Sequence, residues 1–454
     1  MSNIIKPRTL SGFMELLPDR QLQFEAMEEV LRRVYGSYGF YPLDTPVLEA
    51  SEVLLAKGGG ETEKQIYRFT KGDSDLAMRF DLTVPLAKYV ALNYGSLSFP
   101  FRRYQIGKVY RGERAQRGRY REFYQADIDI IGDGELDIIN EAEIPAIIFD
   151  TFSQLGLSRF KIKVNNRKLL SGFFRLLDSG VEAQEIMRVI DKLDKIGIEK
   201  VREELGSIGV SAAECDEIAS FIGRTGEPEE ILSGLESYRG RNELFDKGLD
   251  ELGAVVKYLD DFGVPRANFG VDLTIARGLD YYTGTVYETV MLDHPEIGSV
   301  CSGGRYDDLA GFYTNKKLPG VGISIGLTRL FYILDEKKYI SPERAPSSVD
   351  VLVLPMTRDL SSAVTFARKM RRAGLRAQIY YENKKFKGKM AYADKIKAPF
   401  AAIFGEDEIA QGTVSLKNMA TGEQETMDYD RAAELLSAHA AEVRGRKIIE
   451  VKGE

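Results

Sequence analysis

Apolar residues return at helical spacing near the start of the chain: Phe24, Met27, Leu31 and Val34 share one face, and Gly36 closes the run. The next stretch, GFYPLDTPVLE, predicts an extended, edge-type strand, because Pro42 and Pro46 are incompatible with a helix interior. From about Leu76 to Gly132 short strand-like runs alternate with turns. Within them FPFRRYQIGKVYRGE and REFYQADIDIIG read as two strands joined by the polar loop RAQRGRY, a hairpin signal. Past about Arg167 the pattern changes period. IMRVIDKLDKIGIEKVREEL and NELFDKGLDELGAVVKYLDDFG carry leucine, isoleucine and valine three to four residues apart, interrupted by SIGV and RTGEPEE, which predicts a mostly helical insertion. Strand-like sequence resumes in ANFGVDLTIARGLDYYTGTVYETVML and CSGGRYDDL, and GVGISIGLTRLFYIL reads as a strand running into a helix. SPERAPSS then reads as a linker. Beyond it VDVLVLPM, a helix through FARKMRRAG, RAQIYY, a second helix, PFAAIFG and a final hairpin make an α/β pattern of domain size.

Composition narrows the classes. The 454 residues are 44% hydrophobic and 29% charged, which excludes a disordered chain, a fibre or a small disulfide scaffold. No apolar run approaches the ~18 residues of a membrane span, and the start lacks a signal-peptide core. Only Cys215 and Cys301 occur, too far apart for metal-type spacing, so a cytoplasmic protein with no membrane association is expected. The two histidines, His294 in a turn-like stretch and His439 in a small-residue run, read as surface residues; a multi-histidine metal site is not expected. Arginines, carboxylates and tyrosines must then carry any chemistry. A net charge of -7 disfavours nucleic-acid binding by the whole surface but permits a local patch. Between Arg358 and Lys397 twelve basic residues face three acidic ones, a local balance of +9 that suits RNA phosphates as well as a solvated helix face. Tyr380, Tyr381 and Phe386 in that stretch suit stacking on bases or core packing.

The densest candidate chemistry is VYRGERAQRGRYREFYQADIDIIG. On a strand, Arg121, Phe123, Gln125, Asp127 and Asp129 share a face, with Arg111 and Glu113 aligned on the partner strand. Arginine forks suit phosphate or carboxylate, an aromatic suits a nucleobase, and an amide beside carboxylates suits a small polar ligand. A solvated, salt-bridged hairpin is the plain alternative, although it does not require such unlike residues on one face. In IARGLDYYTGTVYE, Arg277 enters a strand-like run, and Tyr281 and Tyr282 point to opposite sides. The paired glycines of CSGGRYDD allow close approach of the backbone to a bound group. Neither a Walker lysine nor a dinucleotide fingerprint is present.

These segments resemble a known family. GFYPLDTPVL is similar to motif 1, VYRGERAQRGRYREFYQ to motif 2 and GVGISIGLTRL to motif 3 of class II aminoacyl-tRNA synthetases. ARGLDYYTGTVYE and SGGRYD resemble the two histidine-recognition segments of the histidyl-tRNA synthetase family, in order over nearly the whole chain. The resemblance implies an α+β fold. Its class II synthetase-like catalytic core, built on an antiparallel sheet, falls in two parts at 1–166 and 263–342. A helical insertion occupies 167–262, and a C-terminal α/β anticodon-binding domain 348–454.

It also implies the chemistry: ATP activates L-histidine to histidyl-adenylate with release of pyrophosphate, and the histidyl group passes to the 3′ end of tRNA(His). Arg111 would bridge the α-phosphate and the amino acid carboxylate, Glu113 would approach the adenine edge, Arg119 the terminal phosphates, and Phe123 and Arg329 the two faces of adenine. Arg277 would stabilise charge on the α-phosphate, making Arg277 and Arg111 the catalytic pair, and Mg²⁺ would bridge the phosphates without a dedicated protein metal site. Asp81, Thr83 and Gln125 would surround the α-ammonium group, Asp129 and Tyr282 would hold the imidazole, and Arg111 and Tyr281 complete the histidine-binding set. Two departures stand out: Asp81 where some members carry glutamate, and Thr328 before Arg329 where an acidic residue is common. A homodimer is implied, since motif 1 is an interface element in this class. The alternative reading is the histidine-sensing regulatory subunit of ATP phosphoribosyltransferase, a non-catalytic relative that generally lacks the terminal domain.

Overall fold

The computed structural model describes residues 4–56, 61–114, 117–276, 282–344 and 347–450. They form two compact units: 30–336 with the residues up to 14, and 337–454 with 15–29.

The first unit is built on an eight-stranded sheet. Its order is Tyr41–Pro42, Phe101–Tyr110, Glu122–Ile131, Gly320–Ile325, Ser299–Tyr306, Thr285–Met291, Phe160–Asn166 and Phe269–Val271. The two outermost pairings are parallel and the rest antiparallel. The hairpin 101–131 is the longest pairing, running from Phe101 opposite Ile131 to Tyr110 opposite Glu122. Period-two alternation splits its second strand cleanly: Ala126, Ile128 and Ile130 are buried in the apolar core, while Phe123, Gln125, Asp127 and Asp129 take the other face. The proline-rich GFYPLDTPVLE forms the two-residue edge strand Tyr41–Pro42 and then Leu48–Ala50 of a separate three-stranded sheet, as its prolines require.

Helix Ile139–Leu155 anchors the sheet through Glu141, which is fully buried and ion-paired at 2.7 Å with Arg305. Arg305 also reaches Asp307 at 2.9 Å, so the charged part of the CSGGRYDD segment is structural. Helices fill 167–261 from Arg167–Phe174 to Glu243–Asp261, with Ser211 and Glu214 forming a capping box and Phe173 stacked on Phe221 at 3.7 Å. One stretch that reads as strands is instead the helix Thr83–Asn93. Asp81 Oδ1 accepts from the Val84 N–H at 3.1 Å, and Pro85 sits in the first turn where it costs no hydrogen bond.

The second unit has a five-stranded sheet in the order Ala377–Ile379, Val351–Pro355, Phe400–Phe404, Val414–Asn418, Gln424–Met427, with the first three strands parallel. It ends in a helix, Tyr429–Gly445, beyond the final hairpin; the Asp428 carboxylate caps it by accepting from the Asp430 and Arg431 N–H groups. His439 lies on this helix half-buried against the Phe400 ring at 5.0 Å, and His294 is also half-buried, so neither is a plain surface residue. Cys215 and Cys301 are free, buried thiols. Among the described residues no helix is long and apolar enough to cross a membrane.

Candidate active site

The polar face of the hairpin lines two cavities, one of about 480 Å³ and one of about 170 Å³, which share Arg111, Gln125, Tyr282, Ser302 and Ser324. The larger collects Glu113, Arg119, Phe123 and Arg329 together with Arg111. Arg111 donates from Nε to the Phe80 carbonyl at 3.0 Å, and its guanidinium lies 5.2 Å from the Phe123 ring centre. Arg329 donates to the Ser299 carbonyl at 3.1 Å and to that of Ile297. Burial first, and then the charge of Arg119, press the Arg329 pKa down, and both guanidiniums line the same cavity. Such an arrangement favours an anion, and the aromatic beside it favours a flat ring.

Thr328, the departure noted beside Arg329, is fully buried and accepts a hydrogen bond from the Tyr124 N–H at 2.8 Å. The hydroxyl thus pins the helix that carries Arg329 to the hairpin strand, a task a neutral side chain does without burying a charge. Arg121 departs from the face assigned to it. It lies before the strand begins, donates to the Glu113 carbonyl at 3.0 Å, and packs against Gly12 rather than lining either cavity.

The smaller cavity holds Asp81, Thr83, Gln125, Asp127, Asp129 and Tyr282, with Tyr306 and Ser324. Asp129 is held twice: the Tyr306 hydroxyl donates to Oδ1 at 2.6 Å, and Arg103, fully buried, pairs with Oδ2 at 2.7 Å. Burial raises the Asp129 pKa to about 6 against the opposing pull of Arg103 and Tyr306. Asp81 is likewise pushed up to about 6 by burial, opposed by its bond from Val84 and by Arg111 and Arg103. Asp127 rises to about 7, by burial first, with Arg103 opposing and the Asp129 charge adding to the rise. Asp81 Oδ2, Gln125 Oε1 and Asp127 Oδ1 are buried acceptors with no hydrogen-bond partner. Three carboxyls and an open amide oxygen outnumber the two arginines beside them, Arg103 and Arg111, and suit a ligand that brings positive charge and N–H donors.

The close packing of this wall requires glycine. A Cβ on Gly322 would lie 2.2 Å from Asp129 Oδ1, and one on Gly303 would lie 2.1 Å from the Gly322 carbonyl. The paired glycines of CSGGRYDD therefore let strands approach closely, and Gly303 also lines the larger cavity.

The alternation reading brought Phe123, Gln125, Asp127 and Asp129 together and, with Arg111, Glu113, Arg119, Arg329, Asp81, Thr83 and Tyr282, they meet at these cavities. Arg277 and Tyr281 lie outside the described residues. Arg103, Tyr306 and Ser324 carry no signal in spacing alone. The hairpin register places Arg103 opposite Asp129, and the register of the next strand places Ser324 opposite Asp127. In the second unit Tyr380 packs on Tyr392 at 4.6 Å, whereas Tyr381 and Phe386 are 66% and 42% exposed. Part of the basic excess there is tied internally: Arg376 pairs with Asp350 at 2.7 Å and Lys369 with Asp430 at 2.5 Å.

A family model described as Histidyl-tRNA synthetase matches residues 12–330, and one described as Anticodon binding domain matches 350–439. A histidine–tRNA ligase of Clostridium tetani is 53% identical over 435 residues, covering 96% of this chain and 99% of its own length. One of Finegoldia magna is 46% identical over 434 residues, covering 95% and 100%. Among solved structures, the crystal structure of histidyl-tRNA synthetase from Nostoc sp. PCC 7120 matches with a TM-score of 0.88 at 39% identity, covering 96% of this chain and 100% of that one.

Proposed function

The chain belongs to the histidyl-tRNA synthetase family and is an ATP-dependent ligase that joins histidine to tRNA; from that premise we propose how its residues divide the work. In the first step a histidine carboxylate oxygen bonds to the α-phosphorus of ATP as the bond to the β-phosphate bridge breaks, giving histidyl-adenylate and pyrophosphate. In the second a hydroxyl of the tRNA 3′ end attacks the histidyl carbonyl carbon and AMP leaves. Neither step needs a covalent bond to the protein, so the demand is for positioning and charge neutralisation.

Arg111, at the join of the two cavities, holds the histidine carboxylate against the α-phosphate. Phe123 and Arg329 sandwich adenine, Glu113 takes its edge, and Arg119 the terminal phosphates. Arg277 meets the charge that grows on the α-phosphate. Asp81, Thr83 and Gln125 hold the ammonium group, Asp129 and Tyr282 hold the imidazole, and Tyr281 completes the histidine-binding set. The observation that supports this division is the single row Phe123, Gln125, Asp127, Asp129 running from the large cavity into the small one. Neutral imidazole has one donor and one acceptor, so a carboxylate and a phenol match it and reject apolar isosteres.

Mg²⁺ would arrive with the triphosphate. Asp191 and Glu288, the carboxylates that border the large cavity besides Glu113, would help hold it, with water and phosphate oxygens completing its shell. When bound it would neutralise phosphate charge. In the second unit Tyr381 and Phe386 would stack on anticodon bases. The protein acts in the cytoplasm as a homodimer, joined through the segment in which Tyr41 and Leu48 stand 69% and 44% exposed.

ATP–pyrophosphate exchange with each amino acid in turn tests the assignment. Exchange should depend on histidine alone, and Asp129→Ala or Tyr282→Phe should raise the histidine KM while sparing that of ATP. An equal loss for both substrates would remove these residues from the imidazole site. The regulatory-subunit alternative gains no support, because the anticodon-binding match lies within this chain.

A further inference from the structure

Asp127 has no part in the division above, yet it is 1% exposed and its carboxyl shares the small cavity with Asp129 and Asp81. A buried carboxylate next to two others is costly, so its presence asks for a reason. Its surroundings supply one. Ser324 lies directly across the strand pair from Asp127, lines the same cavity, and is the hydroxyl that opposes the rise of that carboxyl's pKa. The same hydroxyl accepts from Gln125 Nε2 at 2.7 Å, and Gln125 Oε1 is left without a protein partner.

The order of these bonds is dictated by what each group offers. An ionised carboxylate only accepts, so Ser324 must spend its single proton on Asp127. Its oxygen can then only accept from Gln125, which must present its NH₂ group to the serine. The amide is thereby locked with its oxygen facing the cavity. The reverse orientation would turn two N–H donors toward an ammonium group, which has no lone pair to accept them.

We propose that Asp127 is a positioning residue that acts through Ser324 to fix the Gln125 amide with its oxygen toward the α-ammonium group of the amino acid. The inference rests on the assignment of Gln125 to that ammonium group. Without Asp127 the serine proton is free to turn to Gln125 Oε1, which draws the amide round and leaves N–H groups facing the ligand.

The test is histidine-dependent ATP–pyrophosphate exchange at about pH 8.5, well above the ordinary carboxyl range, so that the carboxyls are ionised. Asp127→Ala should raise the histidine KM about tenfold or more and leave that of ATP nearly unchanged, the size expected for a misdirected buried hydrogen bond. Adding Ser324→Ala should restore most of the loss, because no hydroxyl then holds the amide in the wrong sense. If Asp127 acted only by its charge, the double variant would recover nothing, and the proposal would fall. Imidazolepropionate, which lacks the ammonium group, should inhibit the wild type and Asp127→Ala equally; a loss as large as that for histidine would mean that Asp127 reads the ring instead. Gln125→Ala separates the two layers. An unchanged histidine KM there would overturn the ammonium assignment itself, whereas a raised one with Asp127→Ala silent would overturn only the relay. Should Asp127→Ala not fold, Ser324→Ala alone frees the amide and should raise the histidine KM about two- to fivefold; no change would sink the relay.

Discussion

Asp81, Asp127 and Asp129 line one cavity with Arg111, the fully buried Arg103 pairs with Asp129 behind it, and burial lifts the three pKa values to about 6, 7 and 6. In an unfolded chain an aspartate releases its proton near pH ~3.9. Between that pH and the native values the folded protein holds protons that the unfolded chain has lost. These groups therefore favour folding at low pH, and their contribution disappears as pH rises through about 6 to 7. Histidine binding runs the opposite way, since the ammonium group needs the carboxylates ionised. Thermal melts between about pH 5 and 8 should show Asp127→Ala flattening part of the fall in stability, while histidine affinity of the wild type climbs over the same range. A slope untouched by the substitution would assign the proton uptake elsewhere. Gly322 gives a second expectation. Alanine there would press a methyl group into Asp129, costing about 1–3 kcal/mol in a melt and weakening histidine binding more than ATP binding. Alternation along one strand is enough to see Phe123, Gln125, Asp127 and Asp129 as a row. Arg103 is invisible at that level, because nothing in RRYQIG marks which arginine turns inward until the register sets Arg103 opposite Asp129.

At the scale of elements, the junction between the hairpin and the helix Leu327–Glu336 rests on Thr328, whose hydroxyl accepts from the Tyr124 N–H. Thr328→Val keeps the shape and removes the acceptor. It should cost about 1 kcal/mol of stability, because the Tyr124 N–H loses this acceptor, and should raise the KM for ATP as Arg329 shifts. A variant with wild-type stability would show that the junction is held by packing alone. Most elements are legible from period: the first helix, the hairpin, the helical stretch after Arg167 and the strand that runs into Arg329. Two are not. LTVPLAKYVALN looks strand-like because its apolar residues are nearly continuous, and a buried aspartate and a first-turn proline make it a helix. The helix Tyr429–Gly445 is rich in alanine and carries a narrow apolar stripe, so its signal is the Asp428 cap more than its periodicity.

On the scale of the whole molecule, the family match changes at about the same place as the sequence pattern, with one model ending at residue 330 and the next beginning at 350. Ending the chain at Ser347 should spare histidine-dependent pyrophosphate exchange and reduce tRNA charging by tenfold or more, on the order of two lost base-stacking contacts; an equal loss of both activities would show that the two units do not divide the work. Light scattering at micromolar concentration should return twice the chain mass, and a monomer would remove the homodimer. The order of domains is readable because helical period, strand alternation and a charge excess change along the chain, whereas a cavity assembled from segments far apart in sequence is not. One run, Gly320–Glu336, ties that cavity together: Ser324 faces both ligand spaces, and a few residues on Thr328 grips the hairpin and Arg329 reaches the larger space. A ligand that settles one wall of this run settles the other. Histidine and ATP should then act as mutual effectors, each raising the other's affinity by the same factor, and paired titrations in which neither substrate changes the other's affinity would remove the coupling.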